Sequence, residues 1–125
     1  MSISITYSQN FLNLVSSLSV AEQKLIGDFV TSIGASGFAG LPGRNKPSTG
    51  VSKKYHDRVA LIQYAIAEKL WHYHVGHTSY DQTKNFGDWT SEFVVNYQKK
   101  SQSVIHIVDY RSHPPFRLPP PSSLI

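Results

Sequence analysis

At 125 residues, 40% hydrophobic and 16% charged, the chain is long enough for one compact domain covering 1–125 and too short for two. No stretch approaches the roughly 20 apolar residues of a membrane-spanning helix, and MSISITYSQNF lacks the pattern of a secretory leader, so a soluble cytoplasmic protein with no membrane partner is expected. The absence of cysteine excludes disulfides, thiolate zinc sites and a cysteine nucleophile, while 12 basic residues against 8 acidic ones, a net charge of +4, favour a polyanionic partner such as nucleic acid.

Ile3, Ile5 and Tyr7 alternate with polar residues, the period-2 pattern of a half-buried strand ending near Tyr7. From Asn10 the period changes. Phe11, Leu14, Val15 and Leu18, then Leu25, Ile26, Phe29, Val30 and Ile33, recur at helical spacings, and the break at Leu18–Glu22 makes two helices of them. Ser19 followed by Glu22 is a capping-box pattern, so the second helix should start at Ser19 and end around Gly34. The glycine- and proline-rich GASGFAGLPGRNKPSTG that follows predicts a long loop without a regular element. Arg44, Lys46, Lys53 and Lys54 add four positive charges before the next acid at Asp57, which suits either a clamp on a nucleic-acid backbone or a solvated linker.

HDRVALIQYAIAEK, residues 56–69, fits a helix through Val59, Ile62, Ile66 and Leu70, but its β-branched run favours a strand ending in a turn. LWHYHVGH, EFVVNYQKK and SVIHIVDYR then form an antiparallel meander, with Lys99–Gln102 as the last hairpin connection. Prolines in HPPFRLPPPSSLI exclude helix and central strand, leaving an extended tail over 114–125. The expected fold is α+β: two N-terminal helices packed on one face of a mainly antiparallel four- to five-stranded sheet whose other face is open.

On a strand, Trp71, Tyr73 and Val75 share one face, the natural core side, while His72 and His74 share the other at about 6.5–7 Å between α-carbons. Such a pair could chelate a divalent ion if His106, Asp109 or His113 completed the set, although no recognised metal-ligand spacing is present and no cofactor is expected. The histidines could equally be satisfied polar residues, or acid/base groups titrating near neutrality. Alternation groups Val104, His106, Val108 and Tyr110 against Ile105, Ile107, Asp109, Arg111 and His113, so Arg111 and His113 emerge together. On the preceding strand it sets Phe93, Val95, Tyr97 and Lys99 against Val94, Asn96, Gln98 and Lys100. Imidazoles and cations on one sheet surface are what metal-free RNA cleavage requires, and Tyr97, Tyr110 or Phe116 could stack a base.

The strings ITYSQNFLNLVSSLSVAEQKLIGDFV, GFAGLPGRNKPS, LWHYHVG, EFVVNY and IHIVDYRSHPPFRL, in that order, resemble the RelE/ParE superfamily of type II toxins, in particular YafO-like mRNA interferases. The resemblance implies a ribosome-dependent endoribonuclease that cleaves mRNA in the ribosomal A site by metal-independent transesterification, and a cognate antitoxin. It places catalytic or phosphate-binding residues at His113 and Arg111, and basic residues on the strand of His72 and His74. On that reading His113 and one of His72 or His74 form the acid/base pair. Arg111, Arg117, Lys99 and Lys100 hold phosphate, Tyr97 binds RNA, and Lys46 and Arg44 contact RNA or ribosome. The prolines near the end depart from the short tyrosine-ended tails of several members. ParE-like members inhibit gyrase without cleaving RNA, so a non-catalytic inhibitor or nucleic-acid-binding module is the alternative.

Overall fold

The computed structural model describes residues 3–77, 79–112 and 117–125. Its first strand, β1 (Ser4–Tyr7), runs into α1 (Gln9–Val15), where the Ser8 side chain accepts the Phe11 N–H at 3.1 Å and satisfies a backbone donor at the helix start. The longer helix α2 (Val20–Ser36) carries the predicted capping box: Ser19 and Glu22 exchange side-chain to backbone hydrogen bonds. Ile26, Phe29 and Ile33, spaced along one face of α2, are buried. They pack on Tyr73, Val95, Tyr97, Ile105 and Ile107 from the central strands, and the Phe29 and Tyr73 rings stack at 4.7 Å.

The sheet has the order β1-β5-β4-β3-β2, where β2 is Asn45–Pro47, β3 Leu70–His74, β4 Phe93–Ser101 and β5 Val104–Ser112. Only β1 and β5 run parallel; the other neighbours are antiparallel. The fold is thus α+β, with two N-terminal helices on one face of a mainly antiparallel five-stranded sheet. Among the described residues no helix is long and apolar enough to cross a membrane.

Several expectations need correction. Residues 56–69 are helical rather than extended: α3 spans Arg58–Ala67. Ala60, Leu61, Gln63, Ala65 and Ala67 are good helix formers, and the β-branched Val59 and Ile66 that suggested a strand lie on the solvent side, 65% and 62% exposed. Helix α3 ends at a left-handed Lys69 (φ 55°), which turns the chain into β3. The long loop does contain a regular element, because β2 adds an edge strand to β3 through Asn45, Lys46 and Pro47, with the proline at the strand end where a missing N–H is tolerated. Gly43 lets this loop approach: a Cβ there would overlap the His74 carbonyl oxygen. The last hairpin turns at Gln102–Ser103 rather than over Lys99–Gln102, with Lys99–Ser101 still in β4.

Nor is the second sheet face open. Ala65 on α3 and Leu70 on β3 are buried outside the main core cluster, so α3 lies against this face. The described part of the tail also folds back. Tyr64 donates to the Pro119 carbonyl at 2.7 Å, the Ile125 carbonyl accepts the Gln9 N–H, and Pro121–Ser123 makes a short 3-10 turn despite its proline, which stands at the first helical position where no donor is needed.

Candidate functional site

Strand β4 alternates as expected, Phe93, Val95 and Tyr97 belonging to the helix-facing core and Val94, Asn96 and Gln98 to the other face. Strand β5 does not. Asn96 pairs with Asp109 but Tyr97 pairs with Ile107, which leaves Val108 as the extra residue of a β-bulge. Its carbonyl is satisfied by the Ser8 hydroxyl at 3.1 Å and the Asn10 amide at 2.9 Å. The bulge swaps the faces beyond it. Tyr110 joins Ile105 and Ile107 in the core, where alternation had set it apart, while Asp109 and Arg111 go to the opposite face.

The pairings then align one row across four strands of that face: Lys46 opposite His72, His72 opposite Asn96, Asn96 opposite Asp109. Arg111, opposite Val94, bonds back to Asp109 through Nε at 2.6 Å, and Asp109 is only 4% exposed. The His72 Nδ1 lies 2.9 Å from the Ser48 hydroxyl, and Ser48 is itself buried and tied to β3 by its N–H on the Leu70 carbonyl. This bond orients the imidazole. Ser48, His72, Asn96, Arg111 and Arg117 line a narrow recess, and Arg111, Arg117 and Leu118 also line the adjoining cleft of about 450 Å³ with Tyr55, Asp57, Leu61 and Pro120. Neither Lys46 nor Arg117 makes a direct ion pair among the described residues, although the Lys46 charge helps to lower the Asp88 pKa.

Of the residues singled out in the sequence, the structure brings His72, Arg111, Arg117 and Lys46 to one face. His74 shares the face but is 3% exposed, its Nδ1 lying 2.8 Å from the Ser91 carbonyl oxygen and 3.1 Å from the Ser91 nitrogen, so it is a buried structural histidine. Arg44 is committed to Asp88 at 2.6 Å, and that bond raises the guanidinium pKa and lowers the carboxyl pKa. Lys99 sits on the opposite, helix-facing side, its ammonium 4.6 Å from the Phe38 ring centroid and 4.2 Å from that of Trp71, and it cannot reach a phosphate held by Arg111. Lys100 is an exposed residue near the far hairpin, beside Lys69. Tyr97 is fully buried among Phe29, Phe38 and Trp71 and donates to Asn45 Oδ1 at 2.6 Å, and its phenol is pushed well up by burial, so it has no face for a base. Tyr110 is likewise buried, stacked on Phe93 and bonded to Glu22. His113 and Phe116 lie outside the described residues.

Sequence reasoning missed Ser48 and underrated Asn96. Ser48 left no signal because its place depends on the unforeseen β2. Asn96 left one: it interrupts EFVVNY on the face that alternation assigns to the histidines. As for a metal, His72 and His74 have ring centroids 5.7 Å apart but are held by different serines, and no group of three or more histidine, aspartate or glutamate side chains suited to an ion occurs among the described residues. No protein-family profile matches the chain, and no curated protein or solved structure matches it either.

Proposed function

We propose that this protein is an endoribonuclease, a RelE-like toxin acting on mRNA in the ribosomal A site and countered by an antitoxin. The observation that carries the reading is the gathering of an oriented imidazole, His72, with Arg111 and Arg117 around one narrow recess, where the two arginines also line the adjoining cleft, and of Lys46 beside His72 on the same face. In the proposed reaction a base takes the 2′-hydroxyl proton and the 2′-oxygen attacks phosphorus. The bond to the 5′-oxygen breaks as an acid protonates it, leaving a 2′,3′-cyclic phosphate and a 5′-hydroxyl. His72 supplies one of the two proton-transfer groups and His113, one residue beyond β5, the other. Arg111 and Arg117 neutralise the charge growing on the phosphate, and Lys46 contacts the flanking backbone. His74 and Lys99 have no part in the chemistry.

Expression in a bacterium, followed by primer extension on an abundant translated mRNA with and without a drug that blocks initiation, tests this reading. Cuts confined to translated message and lost with the drug support it. Growth arrest with intact mRNA would instead favour the non-catalytic reading, in which the same cationic face binds nucleic acid or a protein such as gyrase without cleaving anything.

A further inference from the structure

The Asn96 side chain is 4% exposed, and its amide nitrogen has no hydrogen-bond partner among the described residues. A buried donor left this way costs free energy that a fold ordinarily avoids, so it points to an absent acceptor. The atom belongs to a residue lining the narrow recess, whose free space of about 10 Å³ is the room of one water-sized group. Ser48, His72, Arg111 and Arg117 line that space with it. Arg111 and Arg117 line both this recess and the adjoining cleft, and with only Arg111 tied to a carboxylate, at Asp109, their positive charge makes an anionic acceptor the favoured occupant over a neutral carbonyl.

We propose that the Asn96 recess is an oxyanion seat: it takes one non-bridging oxygen of a phosphate group whose charge Arg111 and Arg117 hold, with the Asn96 amide as the donor beneath it. Binding repairs the unpaired amide, so the seat has its missing partner only when phosphate is present. Assigning that phosphate to RNA rests on the endoribonuclease reading; the seat itself does not.

The side-chain amide pair of Asn96 is a direct reporter in a proton–nitrogen correlation spectrum, where its signals are identified by their loss in Asn96→Leu. Inorganic phosphate is titrated at constant ionic strength, with sodium chloride and the neutral nucleoside uridine as controls. The expected result is a saturable shift of the Asn96 pair with phosphate alone and, read in wild type and variants alike from the backbone amides of residues 72, 96 and 111, weakening of phosphate affinity by about tenfold in Asn96→Leu and in Arg111→Ala, as for loss of one charge-assisted hydrogen bond. Asn96→Leu is nearly isosteric and removes an unpaired polar group, so it should keep the wild-type spectrum elsewhere and a Tm no lower than wild type. Asn96→Asp, which places a carboxylate in the seat, should abolish the phosphate response. An Asn96 pair that does not move with phosphate, or moves equally with uridine, overturns the proposal, the first result assigning the amide to an internal water. The two readings separate cleanly. Saturable phosphate binding in a protein that leaves translated mRNA whole keeps the seat and sinks the nuclease. Undiminished mRNA cleavage by Asn96→Leu with no phosphate shift in wild type does the reverse.

Discussion

On the side of the sheet that faces α1 and α2, Phe29, Tyr73, Val95, Tyr97, Ile105 and Ile107 interlock, and the buried phenols of Tyr73 and Tyr97 find partners at Gly43 and Asn45. On the other side the same three central strands present Leu70, His72, His74, Val94, Asn96, Gln98, His106, Asp109 and Arg111, covered by α3 and the described tail. The first face is apolar and well satisfied, while the second mixes buried charge, an unpaired amide and a cleft. The difference separates two tasks. Hydrophobic burial on the helix side supplies most of the stability, which lets the opposite face hold polar groups that stability alone would not select.

That contrast can be broken most forcefully in the core. Truncating Phe29 or Ile107 to alanine should lower the unfolding free energy by about 3–5 kcal/mol, read from the urea midpoint, because each leaves a cavity among packed side chains. Across the sheet Asn96→Leu should cost nothing. Next in size comes Arg111→Ala, which strands the buried Asp109 carboxylate and should cost about 2–3 kcal/mol at neutral pH. Asp109→Asn combined with Arg111→Met should restore most of that stability while leaving RNA cleavage abolished, so a double variant that cleaves would show Arg111 to be merely structural.

Smaller effects test how the second face is covered. Tyr64→Phe removes the bond that ties α3 to the Pro119 carbonyl and should cost about 1 kcal/mol. A change in pH probes the edge of that cover at His106, whose ring lies between the Thr6 hydroxyl at 2.6 Å and the Leu124 carbonyl at 2.9 Å. Burial is the main reason its pKa is lowered; Lys100 adds repulsion, and the Leu124 bond opposes both. With the folded value below the unfolded one of 6.5, acidification protonates the unfolded chain first. Stability therefore falls as pH drops through 6.5 and levels off beneath the folded pKa, and above 6.5 the residue contributes no slope. His106→Gln should flatten that part of the wild-type pH–stability curve between pH 7 and 5; an unchanged slope would mean that His106 titrates alike in both states.

Much of this contrast was legible in the residues. Period-2 alternation placed Trp71, Tyr73 and Val75 against the helices and His72 and His74 away from them, and the Ser19–Glu22 pair marked the N-cap of α2, whose first helical residue is Val20 and whose last, Ser36, lies two beyond the expected end. What periodicity could not carry was any feature fixed by distant partners. The Val108 bulge leaves no glycine in VIHIVDY, only Asp109 standing where alternation would continue Ile105 and Ile107, yet it inverts the faces of Tyr110 and Arg111. Residues 56–69 satisfy two periods at once, and helix propensity together with the burial of Ala65 on the second face decides for helix. Exposure was the poorest inference: alternation assigns a face, but the cover over it buried His74, just as the aromatic core absorbed Tyr97 and drew Lys99 onto Phe38 and Trp71.

The most direct test of the central claim, that the chemistry belongs to the face away from α1 and α2, compares one charge removed from each side. Arg111→Met carried in the Asp109→Asn background and Lys99→Met are expressed at matched levels, and cuts in a translated mRNA are mapped by primer extension. The account predicts that cleavage disappears with the Arg111 change and persists with Lys99→Met. Cleavage that survives without Arg111 and vanishes without Lys99 would put the active surface on the helix side and contradict it.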